Sequence, residues 1–305
     1  MRWHHVAVVT AAILLLPTGV NVQGQEPPVF SADSELVVLQ VTVTDGKGAF
    51  IEGLGAEAFS IVEDGQAQTL RLFADADTPV TVGLLVDSSA SMHSNRQLII
   101  AGAAAFAAAR HPRDEMFALA FNEDVTSALP ASARFTDDSV VLAAGLERSV
   151  SARGRTALYD AIAVGVDYIS HGSRERRVLV VLSDGGDNAS HTTQAAAVRK
   201  AQASNAVIYT IAIDRFSHDA NPALLEALAQ ASGGVSFRPN DPRGLAEALG
   251  QVGRHIRHGY TLGYASTNPA RDGAFRRVHV VVTAPPGRRF VVRTRSGYVA
   301  GSRTP

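Results

Sequence analysis

The sequence predicts an α/β protein whose mostly parallel sheet carries helices on both faces, with one β-rich segment before it and another after it. Three observations carry that prediction. Between residues 80 and 258, short apolar runs alternate with stretches of helical periodicity. That order places helical crossovers between parallel strands. The apolar runs at 82–86 and 178–182 show no polar alternation, as expected of strands buried on both faces. Residues 35–73 and 259–299 instead read as short strands separated by Asp-Gly and Pro-Gly turns.

Taken in order, residues 35–44 alternate apolar and polar positions in their second half, as a half-buried strand does, and Asp45-Gly46-Lys47-Gly48 is a turn. Strands at 59–62 and 69–73 flank the Asp64-Gly65 turn. In the middle region the strand at 82–86 precedes a helix from about 95 to 110 and a second strand at 116–121. Leu158, Ile162, Val166 and Ile169 recur at helical spacing, so 157–170 is an amphipathic helix. The strand at 178–182, a helix at 193–204, a strand at 207–213, a helix at 222–231, a short strand at 235–237 and a helix at 243–256 complete the alternation. Beyond Arg257, strands are expected at 260–264, 277–283 and 289–294, with turns at Asp272-Gly273 and Pro285-Pro286-Gly287. Each β-rich flank is too short to bury a core alone. The termini of an inserted α/β domain lie close together. The two flanks are therefore expected to pack into one β-sandwich, giving boundaries at 25–77, 78–258 and 259–305.

Composition narrows the function. The chain has 305 residues, 46% hydrophobic and 19% charged, with 28 Lys+Arg against 29 Asp+Glu. It can bury a core, and its charge balance gives no footprint for nucleic acid. The absence of cysteine excludes disulfides, thiol catalysis, Cys-ligated zinc and a lipid-modified N-terminal Cys. Arg2, His4 and His5 precede an apolar run at 6–16, broken by Pro17 and Gly19, and Val22-Gln23-Gly24 offers a cleavage site. Residues 1–24 thus read as an export signal, with a mature start near Gln25 in the periplasm or outside the cell. The run is short of the roughly 20 apolar residues that span a bilayer. An uncleaved membrane anchor is the alternative.

The chemistry gathers at strand ends. Asp87-Ser88-Ser89-Ala90-Ser91 follows the buried strand ending at Val86, Asp184 follows the one ending at Leu182, and Thr156 opens the helix at 157–170. Ligands of open α/β sheets bind beyond the carboxyl ends of the strands. Three separate segments can therefore bring hydroxyl and carboxylate oxygens to one point, a donor set suited to a hard cation such as Mg²⁺. Singly, each motif is no more than a turn or a helix cap. Asp160 reads as an acid favourable to its helix N-terminus, and Asp187 and Asn188 as shapers of the loop after Asp184. His93 reads as solvated and Asp214 as a turn residue.

Asp87-x-Ser89-x-Ser91, then Gly154-x-Thr156-Ala157-Leu158-Tyr159-Asp160, then Leu182-Ser183-Asp184-Gly185 resemble, in order and spacing, the metal-ion-dependent adhesion site of von Willebrand factor type A domains. The resemblance implies a Rossmann-like fold. It also implies that Asp87, Ser89, Ser91, Thr156 and Asp184 hold Mg²⁺ or Mn²⁺, directly or through water. A protein partner's acidic residue would then complete the shell. Phe59-Ser60-Ile61-Val62-Glu63-Asp64-Gly65, Tyr260-Thr261-Leu262-Gly263-Tyr264 and Arg295-Ser296-Gly297-Tyr298 further resemble an exported bacterial subfamily described mainly from Acidobacteria. Arg155 departs from the smaller residue frequent in relatives. A cation there either favours acidic ligands or points to solvent.

The expected function is metal-dependent protein binding or adhesion. The alternatives are a structural subunit of a cell-envelope assembly and a metal-dependent hydrolase. Catalysis is the weaker reading. Ser89 and Ser91 lack a Gly-x-Ser-x-Gly elbow and a histidine partner. No phosphate-binding Gly-rich loop is present, and Ser89 occupies the position where a phosphoryl-transfer site would carry a second carboxylate near Asp87.

Overall fold

A computed structural model describes residues 36–75, 78–213 and 218–301. The export-signal reading of residues 1–24 and the turn reading of Asp214 lie outside the described residues. In chain order the elements are β1 (Leu36–Asp45), β2 (Phe59–Glu63), β3 (Gln66–Gln68), β4 (Leu70–Ala74), β5 (Val80–Asp87), α1 (Arg96–Ala108), β6 (Glu115–Phe121) and β7 (Val125–Ser127). There follow α2 (Ser139–Ser149), α3 (Leu158–Ser170), β8 (Arg176–Ser183), α4 (Gln194–Ala203), β9 (Ala206–Ala212), α5 (Pro222–Ser232), β10 (Ser236–Phe237) and α6 (Pro242–Arg257). The chain closes with β11 (Gly259–Ala265), β12 (Phe275–Val282), β13 (Phe290–Arg293) and β14 (Gly297–Val299).

The central sheet runs β10-β9-β8-β5-β6-β7. Its strands pair in parallel except for β7, which returns antiparallel on β6. Every residue of β5 is buried, which explains why its sequence shows no alternation. One continuous core joins this sheet to the helices on its faces, through Leu84, Val86, Phe117, Leu142, Ile162, Val180, Ile208 and Leu225 among others. One helix was not expected from the sequence. In α2, Leu142 and Leu146 are buried while Val140 is 73% exposed. An apolar residue on its outer face hides the period. The Asp138 carboxylate caps it by accepting from the Val140 and Val141 N–H groups.

The flanks build two further sheets, in the orders β13-β1-β11-β4 and β14-β12-β2-β3. Strands from before and after the α/β region sit side by side in each. β1 pairs antiparallel with β11, and β2 with β12. Their inward residues form one second core: Leu39, Val41, Val43, Phe59, Ile61, Tyr260, Leu262, Tyr264, Val278 and Val280.

Residues 59–65, 260–264 and 295–298 meet inside this sandwich. The Glu63 carboxylate is 2% exposed. It accepts hydrogen bonds from Tyr264 Oη (2.7 Å), Tyr298 Oη (2.9 Å) and Ser266 Oγ (2.5 Å). The sandwich meets the central sheet at its amino edge. The buried Arg176 guanidinium, at the start of β8, donates to Gln40 Oε1 of β1 (2.9 Å) and to the Ile256 carbonyl (2.8 Å). Arg295 donates to the Ser204 carbonyl and to Asn205 Oδ1, just before β9. Among the described residues, no helix is long and apolar enough to cross a membrane.

Candidate metal centre

The five residues singled out in the sequence come to the carboxyl edge of the central sheet, opposite the sandwich. Asp87 is the last residue of β5 and Asp184 follows the end of β8, its neighbour in the sheet. Ser89 opens a 3₁₀ turn at Ala90–Asn95, and Ser91 lies within it. Thr156 stands two residues before α3. Asp87, Ser89, Thr156 and Asp184 are buried and Ser91 half-buried. Ser89 Oγ and Ser91 Oγ lie 3.1 Å apart.

Three loops are stitched together in a ring. The first and third meet where Ser183 Oγ donates to Asp87 Oδ2 (2.6 Å). The first and second meet where Ala90 N–H donates to the Gly154 carbonyl (3.1 Å). In addition, Ser88 Oγ accepts from Ser151 N–H (2.6 Å). The second and third meet at Asn188. Its Oδ1 accepts from Thr156 N–H, and its own N–H donates to the Thr156 carbonyl, both at 2.9 Å. Asp187 accepts from Tyr159 N–H and Asp160 from His191 and Thr192 N–H, which fastens the same loop to the first turn of α3. Asp160 therefore holds the loop as well as sitting at a helix N-terminus. Asn188, read from the sequence as a shaper of the loop after Asp184, ties that loop to Thr156; Ser183 and Ser88 are the positioning residues that the sequence did not single out.

Two local details fix the acids. Asp87 Oδ1 accepts from Ser89 N–H (2.9 Å) and Asp184 Oδ1 from Gly186 N–H (2.8 Å), so each carboxylate is oriented by its own turn. Gly185 has a φ of +85°, and a Cβ there would lie 2.3 Å from the Asn221 carbonyl oxygen. Only glycine lets the chain leave Asp184 in this direction.

Electrostatics single out Asp87. Burial pushes its carboxyl up to about 6, the Ser183 and Ser89 hydrogen bonds pull it back down, and the neighbouring Asp184 charge raises it further. Among the described residues no basic side chain contacts it. A buried carboxylate beside a like charge and three hydroxyl residues is a donor set that suits a divalent cation. Among the described residues there is no group of three or more His, Asp or Glu suited to a metal. A centre here would be the hydroxyl-rich kind, with two carboxylates. Arg155 and His93 are exposed on the rim. Arg155 is anchored by its N–H to Glu123 Oε1 at 3.3 Å.

The von Willebrand factor type A domain family matches residues 82–251, more than half of the chain. The chain belongs to this family. The match covers β5 through most of α6 and includes all five candidate residues. Domains of the family are adhesion and protein-interaction modules, some of which hold a metal.

Solved structures agree in fold. A von Willebrand factor type A protein from Catenulispora acidiphila superposes with a TM-score of 0.50 at 16% identity, covering 90% of this chain and 76% of that one. At 90% coverage the likeness extends beyond the type A domain into the flanking sheets. The von Willebrand domain of a type V pilus tip protein from Porphyromonas gingivalis also reaches 0.50, at 13% identity over 60% of this chain and 96% of that one. A proximal thread matrix protein of the mussel byssus, solved with zinc in its metal-ion-dependent adhesion site, gives 0.48 at 15% identity, over 59% of this chain and 48% of that one. This chain thus spans about half the length of the mussel protein. No curated protein matches the sequence.

Proposed function

We propose that this protein is an exported, non-enzymatic binding module that captures an acidic group of a protein partner through a divalent cation, Mg²⁺ or Mn²⁺. The observation that carries the reading is the meeting of Asp87, Ser89, Ser91, Thr156 and Asp184 at one sheet edge, where the Asp87 carboxylate is buried beside the Asp184 charge. Bound there, the cation supplies electrophilic attraction for an external carboxylate. The chain's own part is to present neutral hydroxyls, which leave that charge under-compensated. Ser183 orients Asp87, and Asn188 holds Thr156 against the loop that carries Asp184. A permanent place in an envelope assembly uses the same chemistry and differs in partner lifetime.

The test has two parts. Calorimetric titration with Mg²⁺ and Mn²⁺ should give one site in the parent and none in Asp87→Ala. Partner capture should fail in EDTA and in Asp87→Ala or Asp184→Ala, and weaken in Ser89→Ala. Capture unchanged by both EDTA and Asp87→Ala overturns the metal bridge.

A further inference from the structure

The sandwich has one incomplete side. β12 is paired with β2 from Val278 to Val282, but with β14 only from Phe275 to Arg277. The bond from Val278 N–H to the Ser296 carbonyl (2.9 Å) lies at the end of that second pairing. The Arg277 carbonyl accepts from Asp64 N–H and Thr283 N–H donates to the Ala58 carbonyl, so alternate residues of β12 face β2. Antiparallel alternation then turns the backbone groups of Val280 and Val282 toward the other edge, where no described strand pairs with them. β13, the edge strand of the second sheet, forms the opposite lip. Between the lips runs a groove of about 570 Å³, bounded at one end by Gln230, Gly233 and Gly234 of the type A domain.

Two further observations point to a ligand. Thr294 Oγ1 lines this groove and is buried with no hydrogen-bond partner, as is Nε of Arg295, a side chain only 6% exposed. Buried polar atoms left in this way are costly. The charge is also one-sided: residues 273–301 contain six arginines and no acidic residue. Arg277, Arg288, Arg289 and Arg293 are exposed, beside the exposed apolar Val281 and Val291.

We propose that this seam takes up an extended acidic segment of a partner polypeptide as an added strand on β12. Such a segment satisfies the free amides and carbonyls of Val280 and Val282 through its own backbone, and its carboxylates meet the surrounding arginines. A second copy of this chain is the poorer occupant. Two like seams brought together would face arginine against arginine, which is unfavourable across a strand pair. The seam is built from the sandwich, and the candidate metal centre lies at the carboxyl edge of the central sheet. Its binding is therefore independent of divalent cations.

The test uses the full chain in EDTA and a fluorescein-labelled ten-residue peptide of alternating valine and glutamate. The controls are the same peptide with lysine for glutamate and one with a central proline. Anisotropy should rise with the glutamate peptide only, and the affinity should fall as salt is added. Amide exchange at Val280 and Val282 should slow on binding. The triple variant Arg288→Glu, Arg289→Glu, Arg293→Glu, with parental circular dichroism, should bind about tenfold or more weakly. No binding of the glutamate peptide, equal binding of the lysine peptide, unchanged exchange at both amides, or self-association that protects them without peptide overturns the proposal.

Discussion

Replacing Glu63 by alanine should loosen the sandwich more than its single-residue size suggests. The carboxylate is an acceptor for three hydroxyl donors drawn from β11, the loop after it, and β14. Tyr264 is fully buried. Burial, then the Glu63 hydrogen bond and charge, push its phenol pKa up and keep it a donor. Stripped of its acceptor, that hydroxyl has no water to turn to, which costs about 1–3 kcal/mol. Tyr298 and Ser266 are part-exposed, so water restores much of their loss, about 1 kcal/mol each remaining at most. The deleted methylene adds about 1 kcal/mol. The total is about 2–6 kcal/mol, a large share of the 5–15 kcal/mol typical of a domain. Glu63→Gln keeps one oxygen but turns a donor toward donors, and should cost about half as much. Guanidinium unfolding followed by far-ultraviolet circular dichroism gives the size of the effect. Amide exchange in β1, β2 and β12 locates it. The reasoning fails if Glu63→Ala stays within about 1 kcal/mol of the parent, or if Tyr298→Phe adds to Glu63→Ala without coupling, since partners in one network do not add.

Other perturbations probe different links. Mg²⁺ at a hundredfold excess over its dissociation constant should stabilise the parent by about 2.7 kcal/mol in thermal unfolding, and leave Asp87→Ala unmoved. His255, on α6, contacts the rings of Phe50, Tyr209 and Phe237. Burial, then the charges of Arg293, Arg254 and His258, push it down to about 4. Its native state prefers the neutral ring, so its contribution is whole above about pH 6.5 and lost as pH falls toward 4, by up to about 3 kcal/mol. His255→Phe should flatten that part of the stability–pH curve relative to the parent; an unchanged curve refutes the assignment. Gly145→Ala would place a Cβ 2.2 Å from the Ala128 carbonyl oxygen, forcing α2 outward at about 1–3 kcal/mol, read by chemical unfolding. Deleting 30–77 removes β1 to β4 and with them half of each flanking sheet, so the remainder should lose cooperative unfolding and solubility.

Much of the central sheet was legible because burial on both faces leaves runs such as 82–86 in β5 and 178–182 in β8 without polar residues. α3 was legible because Leu158, Ile162, Val166 and Ile169 keep one face. α2 was missed because Val140 points outward, although Asp138 as a cap and the spacing of Leu142 and Leu146 were there to be read. β7, three residues with none buried, carries no period at all. The candidate metal residues could be found because each sits at a fixed place relative to a strand or helix end. The roles of Ser183 and Ser88 could not, since their partners lie 96 and 63 residues away in sequence, and Asn188 was legible as a loop shaper but not as the partner of Thr156, 32 residues away. Glu63 is an intermediate case. Alternation in β2 puts it on the face of Phe59 and Ile61, and so in the core, but its acceptor role needed Tyr264 and Tyr298 to arrive from the far end of the chain.

The way the type A domain is spliced into the sandwich has a mechanical consequence. Its entry follows β4 and its exit leads into β11, and these two strands are hydrogen-bonded neighbours, with Ala74 opposite Thr261. A pull on a partner held at the carboxyl edge would run down β5 and β8 in shear, along their length, where many ladder bonds share the load. At the amino edge it would reach β4 and β11 together, and Arg176 ties that edge to β1. A tether built in this way would yield first at whatever grips the partner, and its two cores would hold after the grip has let go.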